Sequence, residues 1–153
     1  MAGDGPRWLL AAVVGVMLAA AHPARATAQE RDQVLVKTPS DLRWSESPRA
    51  PGVQTAPLAG DPGKPGPYVF RAKYPPNTVN RPHHHPGDEE ITVLSGTLYF
   101  GDGREMTPAA ARALPPGSYI AVPARAWHFL FTKTEPVELE IRGRGPRANI
   151  FAK

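Results

Sequence analysis

The chain has 153 residues, 41% hydrophobic and 21% charged, with 19 prolines, 14 glycines and no cysteine. That size and apolar fraction fit one domain with one core, and they exclude collagen-like, coiled-coil and multidomain readings along with any disulfide or thiol chemistry. The net charge of +4 is dispersed, without the basic stripe a nucleic-acid binder needs.

Residues 1–28 read as an export signal. Arg7 supplies a positive start, and Trp8 to Ala21 is an Ala/Val/Leu stretch of 14 residues. His22-Pro23 ends it, and Ala26-Thr27-Ala28 has the small-x-small form of a signal-peptidase site. The stretch is too short and too Ala-rich to hold a chain in a bilayer. No cysteine follows it for a lipid anchor, and no Arg-Arg pair precedes it. Cleavage after Ala28 predicts a secreted, periplasmic chain that begins at Gln29 and has no membrane partner.

Residues 29–67 form a Pro/Gly-rich arm. Val34-Leu35-Val36 predicts a short strand, and Leu42 and Trp44 are candidate anchors on another. The run from Ser45 to Pro67 predicts turns and extended chain rather than helix, and Leu58 and Trp44 suit it to wrapping the domain. Residues 68–153 read as the barrel domain. Tyr68 to Tyr74 alternates as a half-buried strand does, with Tyr68, Phe70, Ala72 and Tyr74 on one face. Ile91 to Leu94 and Thr97 to Phe100 flank Ser95-Gly96 and predict a compact hairpin. Thr107 to Leu114 is the one helical candidate, an Ala-rich stretch with a Thr-Pro start. Strands are expected at Tyr119 to Val122, Trp127 to Thr132 and Val137 to Ile141. Many short strands between turn signals predict an all-β protein, an antiparallel barrel or sandwich. Tyr74, Tyr99, Tyr119, Trp127 and Phe129 are expected in the core.

Four histidines of the predicted mature chain fall in two places, His83-His84-His85 and His128. Neutral imidazole is the commonest protein metal ligand. On a strand, residues i and i+2 share a face, so His83 and His85 converge while His84 points away. Glu89 lies four residues further with matching parity, whereas Glu90 faces the other way and Asp88 sits in a turn. His128 lies in the apolar run Trp127-His128-Phe129-Leu130-Phe131, where a lone imidazole needs a partner. Three imidazoles and one carboxylate suit one divalent transition metal, Mn, Fe, Co, Ni, Cu or Zn, with positions left for water or substrate.

The run Arg81-Pro82-His83-His84-His85-Pro86-Gly87-Asp88-Glu89-Glu90-Ile91-Thr92-Val93-Leu94-Ser95-Gly96 resembles the first motif of the cupins. Three residues separate His85 from Glu89, and six separate Glu89 from Gly96. In the second motif Gly117, Pro123 and His128 match, while Arg125 stands where the family has Gly and Thr132 where it has Asn. The stretch from Gly60 to Pro67 is similar to small secreted single-domain cupins. The resemblance implies a jelly-roll barrel, the double-stranded β-helix, with a metal held inside by His83, His85, Glu89 and His128.

The function expected is a secreted metal-binding cupin that acts on or binds a small, oxygen-rich molecule. Arg81 and Arg125 are the candidate substrate-binding residues and favour an anionic one. Three readings stay open: a metal-dependent enzyme of the dioxygenase or isomerase type, a non-catalytic ligand- or metal-binding module, and a metal-free structural cupin acting through its surface or as a homodimer.

Overall fold

The computed structural model describes Met1 and residues 34–153. The expected export signal and the expected cleavage site after Ala28 lie outside the described residues, Met1 excepted. No described helix is long and apolar enough to cross a membrane.

Residues 36–153 fold as an all-β jelly roll of eleven strands among the described residues. One sheet runs β1 (Ser45–Glu46), β2 (Gln54–Ala59), β3 (Gly66–Tyr74), β10 (Val137–Gly145), β5 (Glu89–Ser95), β8 (Tyr119–Val122). The other runs β11 (Ile150–Phe151), β4 (Val79–His84), β9 (His128–Phe131), β6 (Leu98–Asp102), β7 (Arg112–Leu114). Every pairing is antiparallel. The alternation of β3 puts Tyr68, Phe70, Ala72 and Tyr74 inward, where they meet Ile91, Val93, Leu98, Leu139 and Ile141 in one core. Apolar side chains from the inner faces of both sheets leave water together, which is what holds such a two-sheet fold closed.

The later part of the arm is built into the barrel. Ser45–Glu46 pairs with β2, and β2 pairs with β3 along a register that shifts between Pro57 and Ala59. Proline donates no ladder hydrogen bond, so its place at the shift is the one a strand tolerates. Val34, Leu35 and Val36 form no strand and are exposed, in contrast to the expectation from their apolar run. Strand propensity makes a strand only where a pairing edge receives the run, and none of the described residues pairs with these three.

The expected hairpin at Ser95-Gly96 does not form. β5 lies between β10 and β8, and β6 lies between β9 and β7, so the turn carries the chain from one sheet to the other. Gly96 has φ 72°, and a Cβ there would come within 2.2 Å of the Pro136 carbonyl oxygen, so the corner needs glycine. A Gly-containing turn between two strands fixes a reversal but not which sheet the second strand enters.

The helical candidate Thr107 to Leu114 is also corrected. A three-residue 3-10 turn, Pro108–Ala110, buries no residue, and Arg112–Leu114 continues as β7 on the edge of β6. Alanine propensity without an apolar stripe gives a short helix nothing to pack against, while the β6 edge offers backbone partners. Among the aromatics, Phe129 and Tyr74 are buried, Tyr99 and Trp127 are half-buried, and Tyr119 is exposed rather than in the core.

Candidate metal centre

β4 and β9 pair with His83 opposite His128, which brings the two parts of the histidine set together from 45 residues apart. His85 follows β4 and is pinned on both sides. Its carbonyl accepts the Arg125 N–H at 2.9 Å, and its Nδ1 lies 2.8 Å from the Ala148 carbonyl. His83, His85 and His128 are buried, and one ring nitrogen from each lies within 4.8 Å of the others. His84 points away, half-buried, its ring edge-on to Trp127 at 4.6 Å between centroids.

All three rings are oriented alike by the backbone. His83 Nδ1 is 2.7 Å from the Arg81 carbonyl, and His128 Nδ1 is 3.0 Å from the Ala126 carbonyl, as His85 Nδ1 is from Ala148 at its 2.8 Å. A carbonyl only accepts, so each Nδ1 carries the proton and each Nε2 presents a lone pair. Burial, then the neighbouring His128, pushes His83 down to about 3, and burial also lowers His128. These rings therefore stay neutral at pH 7. His128 Nε2 is buried with no hydrogen-bond partner. A buried lone pair without a donor is costly unless something electrophilic meets it.

Glu89 stands at the start of β5, buried, beside this cluster rather than within it. Its Oε1 is 3.3 Å from His85 Nε2, so two acceptors face one another. Such a contact is satisfied by a cation shared between them. Glu90, one residue on, is exposed and lies 3.9 Å from Arg142. Gly143 sits opposite Glu89 across β5 and β10, and a Cβ there would come within 2.5 Å of the Tyr68 hydroxyl. That vacancy lets the hydroxyl donate to Glu89 Oε2 at 3.5 Å. The Tyr68 hydroxyl is pushed up to about 12 by burial and by the charge of Glu89, so it remains a donor.

The cation that the fold brings to the imidazoles is Arg147, which no sequence motif marks. It follows β10, and its N–H donates to the Pro62 carbonyl at 2.7 Å. Its side chain is 9% exposed. Nε donates to Glu89 Oε2, and Nη2 lies 3.4 Å from both Glu89 Oε1 and His85 Nε2. Burial alone would raise the Glu89 carboxyl, but the Arg147 charge beside it holds it well below the usual carboxylate range. The expected substrate-binding pair is elsewhere. Arg81 and Arg125 are both exposed, and they meet the candidate ligands only through the backbone, the Arg81 carbonyl accepting from His83 Nδ1 and the Arg125 N–H donating to the His85 carbonyl. The Arg81 guanidinium instead covers the Phe151 ring at 5.2 Å. Arg125 keeps the turn in the left-handed region at φ 65°, where the second cupin motif has glycine. Thr132, in the place of the motif Asn, ties a loop: it accepts from the Thr78 N–H at 2.9 Å and donates to the Pro75 carbonyl at 2.6 Å.

Two antiparallel sheets closed around three inward imidazoles, a carboxylate and turn glycines define a single-domain cupin. The family profile of the ChrR cupin-like domain matches residues 32–146, and the chain belongs to that family. The match ends one residue before Arg147. The polyketide cyclase RemF of Streptomyces resistomycificus superposes with a TM-score of 0.63 at 21% identity, over 79% of this chain and 88% of that one. The DMSP lyase DddQ of Ruegeria pomeroyi gives 0.58 at 19% identity over 80% and 73%. An RmlC-like cupin of Shewanella frigidimarina gives 0.58 at 11% over 74% and 94%. Identities this low carry the fold and say nothing of substrate. Among curated proteins none matches the chain.

Proposed function

We propose that this cupin holds one divalent transition metal through His83, His85 and His128, with Glu89 as the fourth ligand, and that it binds or transforms a small oxygen-rich anion there. The observation that carries the reading is the shared orientation of the three rings. Each Nδ1 is committed to a backbone carbonyl, which leaves three Nε2 atoms together in a buried place, one of them without any partner. That is the ligand arrangement a second set of hydrogen bonds fixes in metal proteins. A metal so held would supply Lewis acidity toward a carbonyl or carboxylate oxygen, and electron transfer if it is redox-active. The chain's own residues orient and enclose: the carbonyls of Arg81, Ala148 and Ala126 fix the rings, and Tyr68 and Arg147 hold the Glu89 carboxylate.

Native mass spectrometry and elemental analysis of protein purified without an affinity tag test this reading. The expected result is about one metal per chain, lost in His83→Ala, His85→Ala and His128→Ala. A wild-type protein that takes up none of Mn, Fe, Co, Ni, Cu or Zn overturns it. Turnover supported by Fe(II) and not Zn(II) would identify an oxygen-using enzyme, because Zn has no second redox state. Binding with every metal and turnover with none would identify a binding module. The export signal at residues 1–28 supports a periplasmic location, and N-terminal sequencing of secreted protein should begin at Gln29.

A further inference from the structure

A cavity of about 390 Å³ lies between the arm and β3, well above the roughly 150 Å³ in which an apolar cavity accommodates a benzene ring. Its walls include Val53, Phe70, Ala72 and Tyr74, and Arg147 and Asn149 form its polar end. Arg147 is thus shared. Its Nε and Nη2 hold Glu89, whereas Nη1 bonds Asn149 Oδ1 at 3.0 Å and has a second hydrogen with no acceptor among the described residues. At the rim Arg49 and Asp61 carry opposite charges, and Asp61 also pairs with Lys64 at 3.2 Å.

Charge balance decides what this cavity suits. Imidazoles ligate a metal only in the neutral form, and Arg147 cancels Glu89, so these residues bring no net charge of their own to a bound metal. A divalent metal would leave the cluster two units positive in a place largely shut off from water. Unbalanced buried charge is strongly unfavourable. A neutral guest leaves that imbalance, and an anion beside Arg147 reduces it.

We propose that the cavity takes a small organic carboxylate with an apolar body, received on the Nη1 side of Arg147, and that this anion and the metal strengthen each other's binding because Arg147 has already cancelled Glu89. The proposal rests on the metal-binding reading above. By linkage, whatever factor the carboxylate adds to metal affinity the metal adds to carboxylate affinity.

The test is competition for Zn(II) against a chromophoric chelator, with benzoate, acetate or benzamide present. Benzoate should raise the apparent Zn(II) affinity by about tenfold, acetate by less, and benzamide not at all. In Arg147→Met the benzoate effect, read as the ratio of Zn(II) affinities with and without benzoate, should fall to near unity, whatever the variant's affinity for Zn(II) alone. Arg147→Lys keeps the charge and loses the planar fork, so the same ratio should show a several-fold smaller benzoate effect. Circular dichroism establishes folding, and Arg147→Lys carries the test if Arg147→Met does not fold. Zn(II) binding that ignores benzoate, responds equally to benzamide, or responds undiminished in both variants overturns this proposal and leaves the metal site standing. A benzoate effect no larger than that of acetate removes the apolar cavity as its seat. No Zn(II) binding under any condition overturns the metal reading, and this proposal with it.

Discussion

On the β4/β9 side of the barrel interior three buried imidazoles are each tied to a backbone carbonyl, and the Nε2 of His128 is left without a partner. On the β5/β10 side they are a carboxylate and a guanidinium that answer each other. The first wall is poised for something the chain does not supply, and the second is complete in charge. Burial explains both. An imidazole escapes the desolvation penalty by staying unprotonated, as the lowered His83 and His128 do, whereas a carboxylate as deep as Glu89 stays ionised here with the Arg147 charge beside it. Metal affinity should therefore be dominated by the first wall and folding stability by the second.

The largest expected effect breaks the charged wall. Glu89→Gln leaves the Arg147 cation largely buried and unpaired, which should cost about 3–5 kcal/mol in urea unfolding of the metal-free protein. Adding Arg147→Met to that variant should restore most of the loss, because two groups without charge replace one charge without a partner. Restoration that fails would mean the pair is not what the wall depends on.

Next come the imidazoles. His83→Ala, His85→Ala and His128→Ala should each weaken metal binding by more than about a hundredfold, since losing an outer hydrogen-bond partner alone costs 10–100-fold. The same variants should change metal-free stability far less than Glu89→Gln does. Metal content after dialysis against a weak chelator, alongside urea curves, separates the two walls.

Acid sharpens the contrast further. His83 sits at about 3 in the fold against about 6.5 when unfolded, so between those values the unfolded chain binds the extra proton. Stability from this group is fully present above about 6.5 and is lost as pH falls toward about 3. Thermal unfolding of the metal-free protein should show Tm falling across that window. The fall should shrink in His83→Ala, and an unchanged slope would contradict the burial of a neutral ring.

The smallest effect belongs to His84→Ala. It removes the contact with Trp127 at the cost of about 0.5–1 kcal/mol and should leave metal content unchanged. Glu90→Gln should likewise leave the metal in place. Loss of metal in His84→Ala equal to that in His83→Ala would mean that the triplet chelates as a loop.

Much of this arrangement is legible along the chain because it is local. Parity on β4 separates His84 from His83, and parity on β5 separates Glu90 from Glu89, since a strand turns each neighbour to the opposite face. The inward series Tyr68, Phe70, Ala72, Tyr74 follows from the same period. The hairpin expected at Ser95-Gly96 and the helix expected at Thr107 to Leu114 fail for a common reason. Local chemistry specifies a turn or a propensity, whereas the edge that receives the next segment is set by strands distant in sequence. Arg147 is the sharpest case. Nothing in Pro146-Arg147-Ala148 distinguishes it from Arg142 or Arg144, and it becomes the buried partner of Glu89 only because β10 crosses beside β5 and the chain then passes the Pro62 carbonyl. By itself the sequence determined the all-β character, the inward faces and the candidate ligands, since these rest on side-chain period and motif spacing. Only the tertiary structure decided which cation meets the carboxylate, which way the imidazoles point and where a cavity opens, because each depends on the distance between groups far apart in the chain.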